Sequence, residues 1–107
     1  PQHFDEVTIL FADIVGFNSL SNRLSPIRLV DLLNQIFSAF DSLAEQLGLE
    51  KIKTIGDAYM VAAGLPTPKD DHAEAIAEMA LAMQQVTASF QAESGEPIEI
   101  RIGINTG

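Results

Sequence analysis

Lys51-Ile52-Lys53-Thr54-Ile55-Gly56-Asp57-Ala58-Tyr59-Met60-Val61-Ala62-Ala63 decides the fold. It holds two β-rich runs parted only by Gly56 and Asp57, residue types that enter tight turns readily, and so predicts a hairpin with strands over 51–55 and 58–63. Upstream, Val7-Thr8-Ile9-Leu10-Phe11-Ala12 is nearly continuous in apolarity, which predicts a strand buried on both faces and ending at Asp13. Between the two lies a helix. Ser25 supplies its N-cap and Pro26 its first position; Leu29, Leu32, Leu33, Ile36, Phe37, Phe40, Leu43, Ala44 and Leu47 recur at helical spacing, and Gly48 stops it.

Past the hairpin, Leu65-Pro66-Thr67-Pro68 reads as a loop and Asp71-His72-Ala73-Glu74 as a capping box with Asp at the cap. Ile76, Met79, Ala80, Met83, Val86 and Phe90 form one helical stripe, ended by Ser94-Gly95-Glu96-Pro97. Ile98 to Ile104 alternates apolar and other residues, as a last strand does. The order βαββαβ predicts an α+β, ferredoxin-like fold, an antiparallel sheet with two main helices on one face. No repeat, linker or low-complexity stretch divides the chain, so residues 1–107 read as a single unit. In such a sheet the first strand lies beside the third, which brings Asp13 toward Asp57.

Composition narrows the function. The 107 residues are 47% hydrophobic and 20% charged, a globular balance. Fifteen acidic against six basic side chains give a net charge of -9, which argues against a nucleic-acid surface, because phosphate affinity comes from Lys and Arg. Divalent cations can still bridge carboxylates to a nucleotide's phosphates, so the acidity points to metal dependence. With no Cys there is no disulfide or thiolate site, which fits a cytoplasmic setting. No apolar run nears the roughly 20 residues of a membrane span. Direct membrane contact by this segment is therefore not expected, whatever anchors a longer parent chain.

Two constellations carry the chemistry, Phe11-Ala12-Asp13-Ile14-Val15-Gly16-Phe17 and Lys53-Thr54-Ile55-Gly56-Asp57-Ala58-Tyr59-Met60. Taken singly, Asp13 is a strand-end or cap carboxylate, Asp57 a turn residue and Lys53 a solvated strand residue. Together they differ. Two carboxylates at one sheet edge repel unless cations sit between them, and two ions about 3.5–4 Å apart can serve an in-line displacement at phosphorus. The amides of Gly16, Phe17 and Asn18, at a glycine turn leading into a helical turn, are suited to cradling phosphates. His72 beside Asp70 and Asp71 is explained by the helix cap and is assigned no site. Met79 and Met83 are expected in the core, and Tyr59 on the sheet with its hydroxyl at the rim.

The segments FADIVGF and KTIGDAYM resemble the two metal-binding motifs of class III adenylate and guanylate cyclases. GLPTPKDDHAEAIAEMALAM and IEIRIGINTG resemble the stretches that follow in that family, so nearly the whole chain is covered. The resemblance implies two Mg2+ or Mn2+ ions per site, held by Asp13, Asp57 and the backbone carbonyl of Ile14. It implies conversion of ATP to cyclic AMP and pyrophosphate, with Gly16, Phe17, Asn18 and Gly56 around the substrate. Lys53 stands where family adenylate cyclases carry Lys and guanylate cyclases carry Glu. An ammonium only donates, which matches the acceptor N1 of adenine and not the N1–H of guanine, so ATP is expected over GTP.

Family members pair head to tail, so a homodimer is implied, with Lys53 reading the base in a site whose metals belong to the partner. Asn18 departs from the family's usual Thr. Family domains also continue beyond the point matching Gly107 with further base-, ribose- and transition-state-binding residues, so the 107 residues alone are expected to be inactive. Three other readings compete: a guanylate cyclase, a non-catalytic nucleotide-binding or dimerisation module of the same fold, and a diguanylate cyclase, whose acidic hairpin sequence is missing.

Overall fold

The computed structural model describes residues 7–63, 72–96 and 98–106. Its elements are β1 (Thr8–Ile14), α1 (Phe17–Arg23), α2 (Pro26–Gln46), β2 (Glu50–Ile55), β3 (Ala58–Ala63), α3 (His72–Ser94) and β4 (Ile100–Thr106). The strands form one antiparallel sheet in the order β2-β3-β1-β4, the arrangement expected of a ferredoxin-like chain. The central pair is β1 and β3, and the hairpin turns through Gly56-Asp57 with Gly56 at φ 58. The expected loop at 65–68, the cap at Asp71 and Pro97 lie outside the described residues.

The first long helix forms as its residues dictate. The Ser25 hydroxyl accepts the Arg28 amide at 3.3 Å, Pro26 occupies the first turn, and Gly48 leaves the helix at φ 69. Its apolar stripe buries Leu32, Ile36, Phe40 and Ala44. Ile76, Met79 and Met83 of α3 meet them over Leu10, Ala12 and Ile14 of β1 and Tyr59, Val61 and Ala63 of β3. Both methionines are core residues, as expected.

Three expectations need correction. A seven-residue helix, α1, follows β1; the sequence suggested only a helical turn there, because its buried contribution is Leu20 alone and no stripe develops. β1 extends through Asp13 to Ile14 and is buried on one face only: Leu10, Ala12 and Ile14 point into the core while Phe11, 46% exposed, looks away from it. The helices all stack on one side, so the apolar residues of the other face stay uncovered. The last strand starts at Ile100, two residues late, because Ile98 packs into the core ahead of the sheet pairing.

Tyr59 also differs from expectation. It is 1% exposed, and its hydroxyl donates to Asp41 Oδ1 at 2.8 Å beneath α2 instead of standing at the rim. Its ring lies 5.4 Å from Phe40, edge to face, and 5.7 Å from Phe37. Burial, first, and the Asp41 carboxylate, second, push the phenol above its ordinary range.

Two measurements follow. Phe40→Ala should cost about 3–5 kcal/mol in chemical denaturation, against about 0.5 kcal/mol or less for the exposed Val30→Ala. Tyr59 is the single tyrosine of the chain, so ultraviolet titration reads it alone. Folded protein should show no tyrosinate at the ordinary phenol value of 10.0. The unfolded chain releases this proton near pH 10 while the folded one holds it, so Tyr59 makes stability fall as pH rises above that value, and Tyr59→Phe should remove that part of the alkaline loss.

Candidate functional site

The face of the sheet without helices carries the residues of interest. Antiparallel partners share a face, so the registers Asp13↔Ala58, Asp13↔Arg101, Phe11↔Met60, Phe11↔Gly103 and Lys53↔Met60 place Asp13, Phe11, Lys53 and Arg101 together on it. Asp57, in the turn, reaches the same edge: its Oδ2 accepts the Ile14 backbone amide at 3.3 Å, across 43 residues of sequence. The carboxylate of the hairpin thus meets the end of β1 one residue beyond Asp13.

Arg101, which sequence reasoning did not single out, grips Asp13 with two contacts, Nε to Oδ1 at 3.3 Å and Nη2 to Oδ2 at 3.2 Å. The hydrogen bond to Asp13 is the main reason its guanidinium is held above its ordinary range; the Asp13 charge adds to it, slight desolvation opposes, and Asp57 adds a little more. The Asp57 contribution marks Arg101 as lying in the field of both carboxylates. The pair is exposed, with side-chain accessibilities of 72% for Arg101 and 38% for Asp13, so it is weak and readily exchanged for another partner. Its signal in sequence was the alternation of β4, which puts Arg101 opposite to Ile100 and Ile102; the register that brings it to Asp13, 88 residues away, is a tertiary fact.

An open depression of about 430 Å³ is lined by Phe11, Ala12, Asp13, Ala58, Arg101 and Gly103, among others. A second, of about 190 Å³, is lined by Phe11, Lys53, Ile55, Ala58, Tyr59 and Met60. They share Phe11 and Ala58, so an apolar step separates the carboxylate end from the lysine end. Gly16 caps α1 in a left-handed conformation, φ 68, which is why glycine is needed there, and the space where a Cβ would stand is empty. No side chain caps α1, whose first residues are Phe17 and Asn18. Phe17 packs against the core and Asn18 is exposed.

Two carboxylates with backbone oxygens nearby form an oxygen-only donor set suited to hard divalent ions. Among the described residues no three His, Cys, Asp or Glu side chains gather to hold an ion unaided. Backbone, water or ligand oxygens would have to complete the shell.

The family model described as the adenylate and guanylate cyclase catalytic domain matches residues 1–107. An adenylate cyclase of Mycobacterium tuberculosis is 47% identical over 104 residues, covering 97% of this chain and 24% of that protein. The guanylate cyclase soluble subunit alpha-1 of Rattus norvegicus is 44% identical over 104 residues, covering 97% of this chain and 15% of that protein. Among solved structures, the adenylyl cyclase CyaB of P. aeruginosa superposes with a TM-score of 0.91 at 34% identity, over 95% of this chain and 56% of that one. The chain therefore spans about a quarter or less of the length of these curated relatives.

The Asp57 contact is testable without any ligand. Asp57→Ala should speed deuterium exchange at the Ile14 amide by roughly three- to tenfold, the loss of one modest hydrogen bond, with β1 core amides such as Leu10 unaffected. Equal exchange at Ile14 would place the Asp57 carboxylate elsewhere.

Proposed function

We propose that this chain, which belongs to the family of adenylate and guanylate cyclase catalytic domains, forms the front part of one catalytic unit that converts ATP to cyclic AMP and pyrophosphate. The observation that carries the reading is the Asp57 carboxylate held by the amide of Ile14, the residue next to Asp13, at one edge of the sheet, with Asp13 and Lys53 on its open face. Asp13 and Asp57 would hold two Mg2+ or Mn2+ ions, with the Ile14 carbonyl as a further donor. Bound there, such ions make the ribose 3′-hydroxyl easier to deprotonate and offset charge on the departing pyrophosphate.

The chain's own residues supply the rest. Once its partner carboxylate is engaged, Arg101 is released on the same face, where its planar fork suits phosphate oxygens. Gly16, Phe17 and Asn18 would offer amides from the uncapped start of α1, and Gly56 lets the hairpin turn tightly enough to bring Asp57 alongside. Lys53 would donate to the adenine N1. The matched relatives carry both adenylate and guanylate cyclase names, so base choice rests on this one ammonium. GTP is the alternative substrate.

A homodimer is supported by the uncovered face. Phe11, Ile55 and the half-buried Ile9 and Met60 lie on the side that the helices leave open, beside the carboxylates. A two-fold partner covering it would complete two equivalent sites, with Lys53 of each chain meeting the nucleotide held by the other's carboxylates. Among the described residues no helix is long and apolar enough to cross a membrane.

In a parent chain extended past Gly107, manganese-dependent cyclic AMP formation is expected. Asp13→Ala and Asp57→Ala should each lower kcat by about 10²-fold or more with the circular dichroism unchanged. Lys53→Glu should lower kcat/KM for ATP by about tenfold and raise that for GTP. A base preference indifferent to Lys53→Glu would remove this lysine from the site.

A further inference from the structure

Lys51 and Lys53 are two residues apart on β2, and in an unbroken strand they would share a face. They do not. Lys51 pairs with Val61 and Lys53 with Met60, adjacent residues of β3, so the strand carries an extra residue at Ile52. Val61 is fully buried under the helices, whereas Met60 sits opposite Phe11 on the open face. The bulge therefore sends Lys51 to the helix side and leaves Lys53 on the open one.

A regular strand is the alternative. With the Gly56-Asp57 turn kept, it would pair Ile52 with Val61 and Lys51 with Ala62. An apolar β-branched side chain would then face the core, and both ammonium groups would stand side by side on the open face. By local rules that arrangement is the better one, since the bulge leaves Ile52 41% exposed and sets a lysine, itself 39% exposed, on the helix side of the strand. Something must hold the bulge.

Asp41 does so. Its carboxylate, on α2, takes the Lys51 ammonium at 3.2 Å and the Tyr59 hydroxyl at 2.8 Å, and the ammonium lies 5.7 Å above the Tyr59 ring centre. One side chain of α2 thereby ties both strands of the hairpin that ends in Asp57.

We propose that Asp41 is a positioning residue of the nucleotide face: it draws Lys51 to the helix side, keeps Ile52 bulged, and leaves Lys53 as the only β2 ammonium on the face of Asp13. The functional half of this rests on the reading that Lys53 meets the base. A second ammonium on that face would blur the match to a single acceptor and crowd the depression beside Phe11.

The test uses the full parent chain. Asp41→Asn keeps an acceptor for Tyr59 but drops the charge that holds Lys51; Asp41→Leu removes both. Crystal structures or cross-strand nuclear Overhauser contacts should show Lys51 moving to Ala62 and Ile52 to Val61, partly in the first variant and fully in the second. The KM for ATP should rise about three- to tenfold with kcat little changed, and the preference for ATP over GTP should shrink by a similar factor. Asp41→Leu combined with Lys51→Leu, which restores an apolar residue over the Tyr59 ring, should recover the bulge and the preference.

Unchanged strand pairing in Asp41→Asn and Asp41→Leu overturns the proposal; if Asp41→Leu does not fold, Asp41→Asn decides alone. Pairing that switches while KM and base preference stay put overturns the positioning role, provided Lys53→Ala alters them. If Lys53→Ala alters neither, the base-reading role of Lys53 falls and with it the functional half, while the pairing data still decide whether Asp41 holds the bulge.

Discussion

The antiparallel pairing of β1 with β3, in the register that sets Asp13 opposite Ala58, is the contact on which the rest depends. It takes two acidic residues from separate parts of the chain and puts one at a strand end and the other in the adjoining turn. Shift the register by one residue and Asp13 would turn into the core while Asp57 lost the Ile14 amide. The pairing is held by what lies on the other side of the same strands: Leu10, Ala12 and Ile14 against Tyr59, Val61 and Ala63, all under α2 and α3. Core packing on one face thus fixes where side chains stand on the other.

Having all helices on one side leaves the face of Asp13 and Lys53 open. The open face holds opposite charges, Asp13 and Asp57 against Lys53 and Arg101, in a chain whose net charge is -9. Arg101 answers Asp13 across the β1–β4 pair, which satisfies both at small energetic gain. That weakness suits the proposed role, in which the carboxylate would pass to an ion and the guanidinium to a phosphate. The apolar side chains around these charges form a surface that gains by being covered.

The sequence made the hairpin, the α2 boundaries and the α3 stripe legible, because turn residues, caps and apolar periodicity are local signals. It misjudged β1, where an unbroken apolar run reads as a strand covered on both sides; a run alone cannot say whether the second cover comes from the same chain. It placed Tyr59 at the rim because nothing local announces that Asp41, 18 residues earlier, will sit above it. Arg101 was passed over for the same reason, since an arginine on an alternating strand gains meaning only once its cross-strand neighbour is known. The approach of Asp57 to the end of β1 was anticipated only by assuming strand order, which the βαββαβ succession strongly constrains. The bulge at Ile52 has no sequence signature; the apolar-polar alternation of Lys51-Ile52-Lys53 is that of a regular strand.

The central claim is that Asp13 and Asp57 share divalent ions over a nucleotide triphosphate on the open face. Anomalous diffraction from crystals of the parent chain, grown with Mn2+ and a non-cyclisable ATP analogue, tests it directly. The account predicts two manganese peaks about 3.5–4 Å apart between the two carboxylates, with Arg101 withdrawn from Asp13. Manganese bound elsewhere, or an Asp13–Arg101 pair left intact beside bound nucleotide, would contradict it.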